Sequence, residues 1–437
     1  MSAELETCLR VLAQARAADP DDPGWAEVRE AAAQLYRSGK KQRKNARHAE
    51  RAAHDRALAA STLRYADPLA VAPADTGGAG GRLRGERRCY VCKTPYRDVH
   101  PVYHQLCSPC VAENLARRDA RCDLTGRTVL LTGGRIKIGF HLALKLLRDG
   151  AEVMVTTRFP RDAARRFAEV PDAGEWLHRL HLHGADFLDL GDVAGLLEAV
   201  HTRFGHLDIL INNAAQTIRR PAAYHREVRA AETLPLTGPA ARIPLTSGAA
   251  TGLAVPAAEQ FFPAGRVDET GEPLDLRERN SWTLRLHEID PAEWMETQLV
   301  GAFVPFLLTA RLRPLLEASP RPDRYVVQVS AMEGSFSREN KTVRHPHTNM
   351  AKASLNMMTR TSARDYAASG VHMNSVDTGW VTDERPHPDK SAHREAGFRP
   401  PLDVVDGAAR VYDPIVRGVG GAPVSGLFLK DYRGVEW

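Results

Sequence analysis

The sequence predicts an α/β fold, in which a doubly wound parallel sheet of about seven strands follows a small N-terminal module. From residue 126 onward, short runs of β-branched and leucine residues alternate with stretches of helical periodicity. A glycine-rich turn at Gly133 follows the first of these runs directly. Two close pairs of cysteines lie ahead of it. Strands that alternate with helices imply parallel pairing through right-handed crossovers.

The predicted strands are short and each one ends at a polar or glycine-containing segment. They are 126–132, 151–158, 180–183, 207–211, 324–329, 371–376 and 426–429. A helix is predicted over 140–149, directly after the turn from Thr132 to Gly139. Strand, glycine-rich turn and helix in this order form the Rossmann-type site, where a helix N-terminus holds a pyrophosphate.

Several ordered motifs resemble the short-chain dehydrogenase/reductase family over roughly residues 126–437. They are the Thr132-Gly133 to Ile138-Gly139 turn, Asn212-Asn213-Ala214-Ala215, a helix carrying Lys352, and Asn374-Ser375-Val376 followed by Gly379. The resemblance implies an oxidoreductase with a nicotinamide dinucleotide, a small-molecule substrate, and a homodimer or tetramer paired through its fourth and fifth helices.

The resemblance also implies which residues contact the cofactor. They are Thr132, Gly133, Arg135, Lys137, Ile138, Gly139, Arg158, Asp186, Asn212, Ala214, Lys352 and Gly379. Lys137 replaces the middle glycine of the turn, where its side chain either crowds the phosphates or pairs with them. The second strand ends at Arg158 rather than at a carboxylate, and with Arg135 this favours NADP(H) over NAD. The alternative is that Arg158 is a solvated strand end.

The catalytic positions depart from the family, which uses Asn, Ser, Tyr and Lys. Lys352 is present, whereas Thr348 occupies the tyrosine position and Gln298 the asparagine position. Ala331 takes the serine position, with Ser330 beside it. An aliphatic hydroxyl titrates too far from neutrality to replace an activated phenol.

Three functions are compatible with this departure. The first is redox chemistry at a carbonyl or hydroxyl of a small, biosynthetic metabolite, with Thr348, Ser330 and a histidine, His347 or its neighbour His345, as a rebuilt acid/base. The second is a non-redox lyase or epimerase step that uses bound NADP. The third is a catalytically silent NADP(H)-binding sensor or scaffold.

An insertion over 218–290 follows the fourth strand, beside the expected nicotinamide position. Ligands of doubly wound sheets bind at this edge, so the insertion is expected to form a lid over the substrate. Tyr224 within it is a candidate for the missing phenol. The alternative is a disordered or oligomer-contact loop.

The N-terminal region divides into a basic helical segment at 1–65, a flexible linker at 66–85 and a zinc-finger module at 86–122, before the main domain at 123–437. Residues 1–125 hold 21 Lys/Arg and 16 Asp/Glu, which accounts for the whole formal charge of +5. Such asymmetry is typical of a polyanion binder. Basic helices are more often solvated, so docking to the same chain or to a protein partner is expected instead of nucleic-acid binding.

Two Cys-x-x-Cys pairs predict a structural zinc site that resembles a treble clef. The ligands are Cys89, Cys92, Cys107 and Cys110. Four thiolates leave no open position for catalysis. His100 or His104 replacing one ligand is an alternative, as are disulfides. No secretory leader and no apolar run of about twenty residues are recognised, so a cytoplasmic protein with reduced thiols is expected.

Overall fold

The computed structural model describes residues 2–67, 80–247, 259–268, 271–339 and 341–437. Most of the expected linker, 68–79, therefore lies outside the described residues, as do 248–258 and 269–270 of the expected lid. The strands in chain order are β1 Gly81–Arg88, β2 Pro95–Val99, β3 Thr128–Thr132, β4 Glu152–Thr157, β5 Leu180–Gly184, β6 Ile209–Asn212, β7 Leu245–Ser247, β8 Arg324–Ser330, β9 Val371–Asp377, β10 Phe428–Lys430 and β11 Arg433–Val435.

The α-helices begin with a long N-terminal pair and then alternate with the strands. They are α1 Ala3–Ala17, α2 Ala26–Ala60, α3 Leu63–Ala66, α4 Ser108–Arg118, α5 Lys137–Arg148, α6 Pro160–Ala168, α7 Ala173–Trp176, α8 Leu190–Arg203, α9 Arg226–Glu232, α10 Pro291–Gln298, α11 Val304–Arg311, α12 Arg313–Glu317, α13 Pro346–Ala368, α14 His387–Glu395 and α15 Val404–Val419. In the described parts of the chain, no helix has the length and apolar character that a membrane span requires.

The main sheet has the order β11-β10-β9-β8-β6-β3-β4-β5-β7, and only β11 runs antiparallel to its neighbour. All seven predicted strands are present, so the predicted α/β fold is confirmed. Two further edge strands make nine. The sequence signal missed β7 and β11 because each has only three residues and gains its pairing from an existing edge.

Helices cover both faces of the sheet, as the alternation within β3 shows. Val129 and Leu131 face the core formed with α5 and α15, whereas Leu130 faces the core formed with α8 and α11. All five residues of β3 are buried. Because the central strands run parallel, their carboxyl ends lie at one edge of the sheet. A ligand site is expected at that edge.

The N-terminal region packs against the start of α15 through buried charges. Arg64 Nη1 lies 3.0 Å from the Asp403 carboxylate. Arg118 Nη1 lies 2.7 Å from both Asp403 and Asp406, and the Tyr103 hydroxyl donates to Asp406 at 2.7 Å. The β1 strand begins within the segment expected to be a flexible linker, because Gly81 and Arg82 pair with β2 and the backbone at 84–85 bonds to α2.

The basic surface expected in the N-terminal region lies on α2. Only Asp55 and Ala59 of its 35 residues are buried. Asp55 accepts the backbone N–H groups of Arg84 and Gly85 at 2.7 and 2.9 Å. The helix is thus fixed to β1 near its C-terminal end, while its basic stretch is exposed.

Candidate active site

A cavity of about 1360 Å³ opens at the carboxyl edge of the sheet. Its wall includes the turn after β3, the ends of β4, β6, β8 and β9, and the start of α13. The insertion contributes Ile218, Arg219, Tyr224, Glu272 and Trp282 to the same wall. The described part of the insertion therefore lies over the sheet edge.

The turn after β3 has the backbone geometry of a phosphate-binding turn. A Cβ on Gly139 would lie 2.2 Å from the Gly133 carbonyl oxygen, so only glycine fits there. Lys137 is left-handed at φ +53°, which explains why this position favours glycine. Its Nζ lies 3.4 Å from the Glu384 carboxylate, across the cavity wall. Lys137 thus pairs with a carboxylate at the edge of the cavity.

Two arginines meet at the end of β4. Arg135 is engaged by Asp162 at 2.8 Å and Glu272 at 3.1 Å. Arg158 has only His225, at 3.4 Å, as a hydrogen-bond partner among the described residues. Burial lowers the pKa of Arg158, the neighbouring cation Arg135 adds to this effect, and Asp186 opposes it. An anion bound at Arg158 would therefore offset the unfavourable burial of its positive charge.

The structure separates the predicted cofactor residues into two groups. Gly133, Arg135, Lys137, Ile138, Gly139, Arg158, Asp186, Ala214, Lys352 and Gly379 all line the cavity. Thr132 and Asn212 do not, so the structure does not bring these two predicted contacts to the cavity wall. The Thr132 hydroxyl accepts the N–H groups of Asn213 and Ala214 at 3.0 Å. The Asn212 amide donates into the core, because its side chain points below the strand end.

Lys352 lies at the cavity with its ammonium group beside β8. Its Nζ donates to the Val329 carbonyl at 2.7 Å. Burial lowers the pKa of Lys352 to about 8, although the carboxylates of Glu333 and Asp377 oppose the shift. The amine therefore titrates near neutral pH.

Three of the predicted catalytic residues lie outside the cavity wall, and a fourth, Ser330, turns its hydroxyl away from the cavity. Thr348, His347 and Gln298 lie outside its wall, and the Thr348 hydroxyl has no hydrogen-bond partner among the described residues. His347 is fully buried, with Nε2 3.5 Å from Glu293. Gln298 donates to the His347 carbonyl at 2.8 Å.

Ser330 lies in the cavity wall, but its hydroxyl donates to the Asn356 side chain at 2.6 Å. The hydroxyl therefore faces α13. Ala331, at the serine position of the family, offers no polar group. The structure thus brings Ser330 to the cavity wall with its hydroxyl turned toward α13, and it places Thr348 and His347 outside that wall.

Of the two histidines predicted near Thr348, His345 lines the cavity and His347 does not. Its ring stacks on Trp282 of the insertion, with centroids 4.0 Å apart and planes 9° from parallel. Its Nδ1 lies 3.0 Å from the Asn349 side-chain oxygen, which leaves Nε2 as the nitrogen that a ligand can reach. Burial lowers the pKa of His345, while Glu333 and Asn349 oppose this.

Backbone geometry decides between the two histidines. His345 is left-handed, at φ +44°, and directly precedes the first helical residue, Pro346. His347 lies in the first turn of α13, where helical geometry turns it toward Glu293 of α10. The sequence holds both residues in one tripeptide, so their spacing carries no signal for this choice.

Several carboxylates of the cavity wall were missed, among them Glu296 and Glu333. Glu296 accepts from Gln216 at 2.9 Å and from Arg219 at 2.8 Å. Glu333 pairs with Arg338 at 2.8 Å. Glu333 could have been predicted at the site, because it follows the end of β8 and stands two residues after Ala331. Glu296 lies in α10, and its place in the sequence did not indicate a site residue. Tyr224 donates to Glu272 at 3.2 Å, at the arginine end of the cavity rather than beside Lys352.

The four predicted zinc ligands come together. The Sγ atoms of Cys89, Cys92, Cys107 and Cys110 lie within 4.8 Å of one another, and all are free thiols. Cys107 precedes α4 and Cys110 lies in its first turn. This donor set fits a tetrahedral zinc ion. The ring of His104 contacts Tyr65 instead, and His100 Nδ1 accepts the Val102 N–H.

Comparison with known proteins gives two family matches that flank residues 236–278. Residues 127–235 match the short chain dehydrogenase model, and residues 279–395 match the model described as enoyl-(acyl carrier protein) reductase. An uncharacterized protein of Acanthamoeba polyphaga mimivirus is 33% identical over 341 residues, which cover 75% of this chain and 71% of that protein.

Two further similarities are shorter or more distant. D-beta-hydroxybutyrate dehydrogenase of Cupriavidus necator is 36% identical over 91 residues, which are 21% of this chain and 34% of that enzyme. A short-chain type dehydrogenase/reductase from Mycobacterium marinum has 16% identity and a TM-score of 0.48, covering 72% of this chain and 96% of that one. The chain belongs to the short-chain dehydrogenase/reductase family of oxidoreductases.

Proposed function

We propose that the protein is an NADP(H)-dependent oxidoreductase that acts on a carbonyl or hydroxyl group of a small, biosynthetic metabolite. The observation that carries this proposal is one cavity lined by the phosphate-type turn, Lys352 and the oriented imidazole of His345. Family membership supports the reaction class. The acid/base is atypical, because neither Thr348 nor Ser330 presents its hydroxyl to the cavity.

His345 is proposed as the acid/base. Asn349 fixes Nδ1, so Nε2 is the site that takes the hydroxyl proton of an alcohol or returns it to a carbonyl oxygen. NADP(H) held by these residues would supply the hydride chemistry, taking a hydride from the carbon of the alcohol or giving one to the carbon of the carbonyl group. A neutral imidazole is the dominant form at neutral pH because burial lowers the pKa of His345. This favours proton abstraction, and therefore the oxidation of an alcohol.

Lys352 is proposed to anchor the nicotinamide ribose and to raise the acidity of the reacting hydroxyl. Its ammonium is already oriented by the Val329 carbonyl at 2.7 Å. With a pKa of about 8 it is mainly protonated at pH 7. A cation next to a developing alkoxide stabilises that charge in a water-poor site.

The preference for NADP(H) is proposed from Arg158. Among the described residues it has no carboxylate within ion-pair distance, whereas Arg135 has two. A 2′-phosphate would supply the missing negative charge through a charge-assisted contact. Calorimetric titration with NADPH, NADP and NADH tests this. Tighter binding of NADPH than of NADH is expected in the native protein.

The matched variants are Arg158→Gln and Arg203→Gln. Arg158→Gln is expected to weaken NADPH binding about tenfold or more and to leave NADH nearly unchanged. Arg203 lies outside the cavity wall and pairs with Glu152, so its variant should bind both nucleotides normally. Equal losses for both nucleotides in Arg158→Gln would contradict a 2′-phosphate contact.

The acid/base assignment has its own pair of variants. His345→Asn is expected to reduce turnover of an alcohol substrate by about 10²–10⁴-fold, the usual contribution of a positioned acid/base. His347→Asn removes the neighbouring imidazole outside the cavity and should affect stability more than turnover. An unchanged rate in His345→Asn would rule out its role.

A silent NADP(H)-binding sensor is the second candidate function. The observation that favours it is the loss of both family hydroxyls. Ala331 has none, and Thr348 is buried outside the cavity wall. NADPH binding without turnover across alcohol and carbonyl panels would select this function. If a substrate undergoes an NADP-dependent lyase or epimerase reaction without net oxidation or reduction, that result would select the non-redox alternative instead.

A structural zinc ion and a homo-oligomer complete the proposal. The four thiols suit zinc, and free thiols persist in the reducing cytoplasm, where we place the protein. The helices α10, α11 and α13 expose large apolar side chains that a second copy would cover. They are Met295, Phe303, Phe306, Met350 and Met357, the second of these lying in the π-helical turn between α10 and α11.

A further inference from the structure

The knuckle of the zinc finger reaches the cavity of the main domain. Tyr90 and Lys93, which flank Val91 and Cys92, belong to the cavity wall together with Gly133 and Lys352. Tyr90 directly follows Cys89 in the chain, so one residue connects the four-cysteine cluster to the cavity wall. We infer that the finger is a structural part of the dinucleotide site, and that zinc occupancy sets nucleotide affinity through Tyr90.

The first step of the argument is the contact between Tyr90 and the loop after β9. The Tyr90 hydroxyl accepts the Trp380 backbone N–H at 2.9 Å. Both Gly379 and Trp380 line the cavity, and Gly379 is a left-handed glycine at φ +77°. A hydrogen bond to this backbone fixes the loop at the position where the family pattern expects the cofactor.

The second step is the fixation of Tyr90 itself. Its backbone N–H donates to the Gln105 carbonyl at 2.8 Å, and the Lys93 ammonium donates to its carbonyl. The Cys89 N–H donates to the Thr94 carbonyl at 3.0 Å. Two of these contacts shape the loop of the first cysteine pair, and the contact with Gln105 joins that loop to the segment just before the second pair. A metal that joins the two pairs would therefore hold Tyr90 in place.

The third step is the packing around the same loop. A Cβ on Gly379 would lie 2.5 Å from the Leu402 side chain and 3.5 Å from the Tyr90 hydroxyl. Leu402 is part of the hydrophobic cluster of the finger, and Val381 packs against that cluster. The loop that borders the cavity is thus enclosed by the finger, rather than by the main domain alone.

The experiment uses the full chain and the variant Cys92→Ser, with Cys8→Ser as its control. Cys92 is the exposed cysteine of the cluster, and Cys8 is exposed outside it. Zinc content, deuterium exchange of the 377–382 backbone and calorimetric NADPH affinity are measured together. In Cys92→Ser we expect loss of zinc, faster exchange at 377–382, and NADPH affinity lower by about tenfold, the equivalent of one net hydrogen bond.

Tyr90→Phe separates the role of the hydroxyl from the folding of the finger. It should keep zinc, because it removes no ligand, yet increase exchange of the Trp380 amide by about tenfold. Unchanged exchange in both Cys92→Ser and Tyr90→Phe would overturn the inference, whether or not a nucleotide binds.

The inference rests on the proposed NADP(H) site, and the two can fail separately. If the native protein binds no NADPH, the proposed function fails, while exchange at 377–382 still decides the link between zinc and the loop. If the native protein binds NADPH and Cys92→Ser loses zinc without a change in affinity or exchange, only the inference fails.

Discussion

Asp403 is the buried carboxylate that joins the N-terminal module to the main domain, and Asp403→Asn tests how much this junction contributes. Its two oxygens lie 3.0 Å from Arg64 and 2.7 Å from Arg118. Only about 1% of the Asp403 side chain is exposed, and the same holds for Arg64. Asp403→Asn removes one carboxylate from this cluster, whereas Arg118 keeps Asp406 at 2.7 Å. Loss of one hydrogen-bonded partner of a buried polar group costs about 1–3 kcal/mol.

The asparagine retains the shape and the oxygen that accepts the Asp406 N–H at the start of α15. The loss therefore reports the ionic contacts rather than the helix cap. Urea unfolding monitored by circular dichroism should show a free energy of unfolding lower by about 1–3 kcal/mol. A loss of this size is a large fraction of the total stability of an average domain.

Asp98→Asn is the matched control within the same module. Asp98 lies 3.9 Å from Arg82, and both side chains are more than half exposed. Its substitution should change stability by less than about 1 kcal/mol. If Asp403→Asn and Asp98→Asn have the same effect, the buried charges do not hold the module to α15.

Three further variants test the cavity wall, the oligomer and the tyrosine position. Burial would raise the pKa of Glu384, but Lys137 and other cations lower it to about 2. The advantage of the native protein over Glu384→Gln, up to about 3 kcal/mol, should be complete above about pH 5 and lost toward pH 2 in acid unfolding. Phe306→Asp should convert a dimer or tetramer to smaller species in light scattering, because it places a charge on the exposed apolar surface. Thr348→Tyr should cost about 1–3 kcal/mol without creating carbonyl reductase activity, because Thr348 is buried outside the cavity.

Each of these has a contradicting result. A pH-independent difference for Glu384→Gln would mean that its carboxylate is not stabilised by cations. An unchanged mass for Phe306→Asp, with Leu286→Asp as the exposed control outside these helices, would place the interface elsewhere. Reductase activity in Thr348→Tyr would show that the side chain does reach the substrate.

The sequence alone was sufficient for seven of the nine strands of the main sheet, because their formation depends on local patterns. The run that becomes Thr128–Thr132 is wholly buried and reads as a continuous apolar stretch. The turn at Gly133 and Gly139 was equally predictable from the sequence, because the close approach of backbone atoms there excludes larger residues. The cysteine spacing likewise predicted the cluster, because a Cys-x-x-Cys pair bends around one metal.

The facing of individual side chains was less predictable. Asn212 and His347 were expected at the site but lie outside the cavity wall, whereas His345 lies within it. The choice between adjacent positions depends on strand alternation and on the left-handed residue at the start of α13. Neither is fixed by composition or by motif spacing.

The sequence by itself determined the fold class, the phosphate-type turn and the four-cysteine cluster, because each arises from residues close in the chain. Only the tertiary structure decided that His345 stacks on Trp282, and that Tyr90 of the finger borders the cavity. It also decided that Arg118 meets Asp403, 285 residues later in the chain. Such contacts depend on how whole elements pack, and the energies that select them come from burial and charge pairing across distant segments.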